Sequence, residues 1–176
     1  MFSVMHLKAT CSIVWRLKRT FPALLVIVVL FAGNAEAGRL ADSTSSYLAS
    51  HAEDAIAWQP WDEQSLALAE ANDKLIFRTL GYCACHWCHV LARTTLKDTR
   101  VIEALGQDYV SILVDREERP DLDSHFSDIM LAMTGQSGYP ALFVLTPDGV
   151  PVFAAGYLAA EPEHGNPGLL EVLQGI

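Results

Sequence analysis

Residues Cys85-His86-Trp87-Cys88-His89 follow an apolar, strand-like run from Leu75 to Leu80 and open an apolar stretch that reads as a helix. No other feature restricts so tightly what this chain can fold into. Cysteines at that spacing lie one helical turn apart, so they can close into a small disulfide and reopen, which points to thiol-disulfide exchange. The same five letters spell C-x-x-C-H, the attachment pattern of a c-type haem, and Cys83, Cys85, Cys88 and His89 together make a candidate zinc or copper cluster.

The first 37 residues have a different character from the rest. A basic segment (Lys8, Arg16, Lys18, Arg19) precedes an apolar run from Phe21 to Ala32, and Ala35-Glu36-Ala37 supplies the small-x-small pattern that a signal peptidase cuts. Residues 1–37 therefore read as a signal peptide, and the run is too short for a spanning helix, which needs about 20 apolar residues. An uncleaved anchor is the rival reading. The expectation is a periplasmic or secreted protein with no stable membrane insertion after cleavage, and a single domain over residues 38–176. Without Lys8, Arg16, Lys18, Arg19 and Glu36, 8 basic and 20 acidic residues remain, a formal charge of −12. So acidic a surface disfavours nucleic acid as a partner. The three cysteines left are packed into Cys83 to Cys88, whereas disulfides used as scaffolding are spread across loops.

Periodicity supplies an element order. Arg39 to Ser50 reads as a loose polar lead-in; Asp62 caps a helix ending near Asn72; Lys74 to Leu80 has β-propensity. A helix from about Cys85 to Lys97 follows, then a short one around Val101 to Leu105 and an apolar strand from Tyr109 to Val114. Asp121 to Met133 reads as a helix stopped by Gly135 to Gly138. Ala141 to Leu145 and Val150 to Ala154 flank the turn Pro147-Asp148-Gly149, and Leu169 to Leu173 forms a last helix. Trp58 and Trp61 are expected to pack a domain edge. The order describes an α/β fold of three layers, a mixed central sheet with helices on both faces, which is the thioredoxin-like plan.

Several motifs occur in one order: Gly81-Tyr82, Cys85 to Val90, Val114-Asp-Arg-Glu-Glu-Arg-Pro-Asp121, Met133-Thr-Gly-Gln-Ser-Gly-Tyr-Pro140 and Leu145-Thr-Pro-Asp-Gly149. With them the chain resembles the N-terminal thioredoxin-like domain of the spermatogenesis-associated protein 20 family from about Tyr47 to Tyr157, the expected core. Members of that family usually continue into a large α-helical barrel, so the expectation here is a stand-alone exported domain. Cys83 stands where the family tends to have Ser. It is expected to be a small buried hydrophobe, with a third redox partner as the other reading.

The resemblance implies Cys85 as an exposed nucleophile at a helix N-terminus, Cys88 as the resolving thiol, and a cis peptide between Tyr139 and Pro140 that turns the Tyr139 backbone toward the sulfurs and leaves an edge for a substrate peptide. Lowering a thiol pKa from about 8.5 to about 6.5 takes roughly 2.7 kcal/mol, and a helix terminus supplies at best about 2 kcal/mol. His89, at i+4 from Cys85, is placed to make up the difference better than His86 is. Thioredoxin has a buried carboxylate six residues ahead of its nucleophile, where this chain has Thr79, so Asp115 is the candidate proton acceptor, with Glu117 or water as alternatives. No cofactor is expected. The partners are then protein thiols or disulfides and a redox-recycling partner.

Overall fold

In the computed structural model, which describes residues 38–176, four strands form one mixed sheet. β1 (Leu75–Gly81), β2 (Tyr109–Asp115), β3 (Ala141–Leu145) and β4 (Pro151–Ala155) lie side by side in the order β2-β1-β3-β4. β1 runs parallel to β2, from Leu75 opposite Tyr109 to Gly81 opposite Asp115, and antiparallel to β3, from Ile76 opposite Leu145 to Leu80 opposite Ala141. β3 and β4 are the hairpin expected from Pro147-Asp148-Gly149, and Thr146 N–H donates to Val150 O over 2.8 Å. Beyond β2, Gln59 adds one parallel bridge, its N–H donating to Ser111 O and its carbonyl accepting from Leu113 N. Pro60, next in the chain, has no N–H with which to extend that ladder.

The helices are α1 (Ser46–Ala49), α2 (Glu63–Asn72), α3 (His86–Arg93), α4 (Thr99–Asp108), α5 (Pro120–Thr134) and α6 (Leu169–Gly175). Side chains alternate across β1, so the sheet has two separately packed faces. Phe77 faces a core shared with Tyr47 and Leu48 of α1, Leu91 of α3, Val101 and Leu105 of α4, and Leu169 and Leu173 of α6. Ile76 and Leu80 face the other core, with Ala69 of α2 and Phe126 and Met130 of α5. Helices thus cover both faces, as the α/β three-layer expectation requires.

Capping chemistry accounts for the helix ends that the sequence marks. Asp62 caps α2 by accepting from Ser65 N at 2.8 Å, and α5 starts on Pro120 and stops at Gly135, whose φ of +72° suits a residue without a Cβ. Two expectations change. The helix expected from Cys85 to Lys97 ends at Arg93, because Thr94 Oγ1 turns back to Val90 O and buried Thr95 Oγ1 donates to Leu158 O at 2.8 Å; a 3-10 turn, Thr95–Lys97, follows. Nor is Arg39 to Ser50 loose. Arg39 N–H bonds Trp58 O, Leu40 is fully buried, and Ser45 caps α1. Three apolar side chains, Leu40, Tyr47 and Leu48, are enough to dock this otherwise small, polar segment. Trp58 packs on Phe77 and Trp61 on Phe126, as expected of packing residues. No helix among the described residues is long and apolar enough to cross a membrane. The signal-peptide expectation for residues 1–37 lies outside the described residues.

Candidate active site at the end of the central strand

β1 stops at Gly81, and the chain leaves the sheet through Tyr82, Cys83 and Ala84 to reach Cys85, the N-cap of α3. Cys85 has extended backbone (φ −79°, ψ 106°), its N–H donates to Tyr82 O, and its sulfur accepts from Cys88 N at 3.1 Å. Cys85 and Cys88 are joined in a disulfide with their Cα atoms 5.3 Å apart. Cys85 is only 4% exposed in this bonded form, so the exposure expected of it at the helix N-terminus is corrected. His86 and Trp87 occupy the exposed outer side of the first turn; Trp87 is 52% exposed, its ring 5.1 Å from that of Tyr157.

His89 is engaged elsewhere than expected. Its Nε2 donates to the carbonyl of Cys83 at 2.7 Å, tying the loop before the helix to the helix itself. The Cys83 thiol is free and exposed, which corrects the expectation of a buried hydrophobe: the loop has already left the sheet at Gly81. The four residues of the metal reading therefore diverge, two in a disulfide, one pointing outward and one bonded to backbone. Among the described residues no group of three or more His, Cys, Asp or Glu side chains is arranged to hold a metal ion. A thioether from Cys88 to a haem would have to leave a residue that is 3% exposed, whose sulfur lies 3.0 Å from where a Cβ on Gly81 would stand.

The Tyr139-Pro140 peptide is cis, as the resemblance implies. One step beyond the last β1–β3 pair, Leu80 with Ala141, Pro140 comes to the same end of the sheet as Gly81. The Tyr139 ring meets Tyr82 edge-on at 5.5 Å, and the Arg116 guanidinium lies 4.5 Å from the Tyr139 ring centroid. The Tyr139 hydroxyl donates to Asp123, which also pairs with Arg116 at 3.2 Å. Burial, reinforced by that hydrogen bond, raises the Tyr139 pKa.

Beneath the disulfide lies a set of residues the sequence reading did not assemble. Gly81 has no side chain because there is no room for one: a Cβ would collide with the Tyr47 hydroxyl and stand 3.0 Å from Cys88 Sγ. Tyr47 is held there by α1, whose cap Ser45 donates to buried Asp115 at 2.6 Å; the other Asp115 oxygen accepts from Glu117 N. Asp115, the candidate proton acceptor, also anchors α1 through Ser45. Thr79 Oγ1 is buried with no hydrogen-bond partner. The N-cap pattern at Ser45 is visible in the sequence, but nothing there connects it to residues so much later in the chain.

Residues 37–176 match the Thioredox_DsbH family, described as "Protein of unknown function, DUF255". Among curated proteins, an uncharacterized protein of Caenorhabditis elegans is 35% identical over 154 residues, 88% of this chain and 21% of that protein. The spermatogenesis-associated protein 20 of Rattus norvegicus is 34% identical over 140 residues, 80% of this chain and 18% of that protein. The chain thus spans about a fifth of the length of these relatives. Among solved structures, a thioredoxin from Thermus thermophilus superposes with a TM-score of 0.51 at 20% identity, covering 69% of this chain and 86% of that one, which shows the fold.

Proposed function

The chain belongs to the DUF255 family, with a thioredoxin-like fold and a thiol-disulfide oxidoreductase-like cysteine pair, and from that premise we propose that it is an exported enzyme exchanging disulfides with the thiols of other proteins. The observation that carries this reading is the Cys85–Cys88 disulfide at the N-terminus of α3. A partner thiolate attacks Cys85 Sγ, the Cys85–Cys88 bond breaks, and Cys88 leaves with the electron pair. A second thiol of the partner then attacks the mixed disulfide, which gives the dithiol form of this protein and an oxidised partner. In the opposite direction Cys85 attacks a partner disulfide and Cys88 resolves the intermediate.

The first helical turn supports Cys85 in that role. A thiolate at the N-cap accepts the Cys88 backbone N–H and meets the positive end of the helix. His89 contributes by clamping the Cys83 carbonyl and so fixing the loop that delivers Cys85. His86 and Trp87 on the outside, with Tyr139 and Pro140 at the sheet end, line the approach for a partner segment, and the Tyr139 backbone supplies an edge for it. A second redox protein outside the cytosol resets the pair after each turnover. The export assignment rests on the leader pattern of residues 1–37.

Insulin reduction and oxidation of a dithiol peptide test the proposal. The wild-type chain is expected to accelerate at least one of them, and Cys85→Ser to reduce both to the reagent blank. A wild-type protein inert in both assays overturns the reading.

A further inference from the structure

Cys88 needs something the backbone does not supply. As the buried sulfur it must carry negative charge whenever the disulfide opens, and a charge out of water is costly unless a donor meets it. Cys85 has the Cys88 N–H and the helix terminus, but Cys88 lies one turn inside α3. The residue six before Cys85 is Thr79, and Asp115 is spent on Ser45 and Glu117 N. The Thr79 hydroxyl is also buried without a partner, but among the described residues the polar group found beside this sulfur at Gly81 is the hydroxyl of Tyr47, which lines the same gap as Cys88 Sγ.

We infer that Tyr47 is the hydrogen-bond donor that stabilises the Cys88 thiolate, with Gly81 left bare so that hydroxyl and sulfur can approach and Ser45–Asp115 holding α1 in register for the contact. This rests on the exchange reading above and assigns the group that governs its resolving step. Burial, then the charges of Asp115 on β2, Asp54 in the turn after α1 and Cys83 in the loop after β1, all push the Tyr47 phenol upward. Tyr47 therefore keeps its proton throughout the working pH range and acts as a donor, never as the base. His51 also faces it, edge-on at 5.1 Å. When Cys88 resolves a mixed disulfide at Cys85, the thiol proton goes to water. The thiolate then forms the bond to Cys85 Sγ, and the bond from Cys85 to the partner sulfur breaks with its electron pair leaving on the partner. Tyr47 does not change protonation in that cycle; it sets how much Cys88 is thiolate at a given pH.

The test uses the full chain carrying Cys11→Ser and Cys83→Ser, reduced and then mixed with an aromatic disulfide that releases a coloured thiolate. Attack by Cys85 gives a first, concentration-dependent release, and resolution by Cys88 a second, concentration-independent one. Losing one donor to a thiolate is expected to raise the apparent pKa of the second phase by about one unit in Tyr47→Phe and leave that of the first phase in place. Because a more basic thiolate is also more nucleophilic, the second phase should be about threefold slower at pH 7 yet about threefold faster above both pKa values. Difluorotyrosine at position 47, a stronger donor of nearly the same shape, should move the second-phase pKa down. Those opposed shifts are a signature that mere packing by the ring would not give. A second-phase pKa unmoved in both variants overturns the inference while leaving the exchange reading intact. A parent protein with no second phase overturns both.

Discussion

The two faces of β1 solve the same problem in opposite ways. On the face of Phe77, Thr79 and Gly81, side chains shrink toward the strand's end, and the space they leave admits the Cys88 sulfur and the Tyr47 hydroxyl. Polar contacts hold that layer: Ser45 to Asp115, and Asp54 bridging His51 Nδ1 at 2.7 Å and Lys97 Nζ at 2.8 Å. On the other face, Arg78 is fully buried and none of its guanidinium nitrogens has a hydrogen-bond partner among the described residues. Rings surround it instead, Phe126 at 3.4 Å and Trp61 and Phe143 each at 5.3 Å. Burial pulls its pKa down to about 9, with Asp123 opposing and Arg119 assisting. The comparison teaches a division of labour: one layer is tuned by hydrogen bonds and left open for sulfur chemistry, the other is packed shut around a cation by aromatic surface.

The largest effect should come from opening the packed layer. Phe126 touches Trp61, Phe143 and Arg78 at once, so Phe126→Ala is expected to cost about 3 to 5 kcal/mol in a urea titration. A loss below about 1 kcal/mol would mean the ring cage is not what holds this face. Arg78→Met sharpens the same point with the opposite sign. Desolvating a guanidinium costs several kcal/mol, and cation–π contacts return about 2, so an apolar side chain of similar reach should raise stability by about 1 to 2 kcal/mol. A fall of that size would show the rings outweighing desolvation.

An effect of similar size, which vanishes at low pH, belongs to the polar layer. Burial works to raise the Asp54 pKa, but hydrogen bonds from His51 and Lys97 outweigh it and hold the carboxyl down at about 2. A carboxyl whose folded pKa lies below its unfolded value stabilises fully above about pH 4, and that contribution fades as pH falls toward 2. Wild type should therefore exceed Asp54→Asn by about 1 to 2 kcal/mol at pH 6, with the gap closing between about pH 4 and 2. A gap that stays constant across that window would remove Asp54 as the acid-sensitive element of this face.

Much of this could be read in the letters because its causes are local. The strands β1, β2 and β3 announce themselves as apolar runs, Asp62 as a cap, and Pro147-Asp148-Gly149 as a turn, since each depends on neighbours within a few residues. The spacing of the pair at the mouth of α3 shows that it can close into a disulfide, beside haem and metal readings that the same letters allow. Cys83 misled because solitary cysteines are usually buried, and only the point where β1 leaves the sheet puts this one outside. His89 was placed on the helix face by its i+4 position, which carries no information that a loop carbonyl would occupy its ring.

From the sequence alone come the element order from α2 onward in outline, the mixed sheet with covered faces and the identity of the sulfur pair, all consequences of short-range periodicity and backbone preference. Only the folded chain determines that α1, from the segment that looked like slack, sets a phenol beneath Cys88, that Asp115 anchors that helix, and that Arg78 lies among rings. Such contacts join residues far apart in the chain through packing of whole layers, and the types of the residues involved carry no record of which distant partner the layers will bring to them.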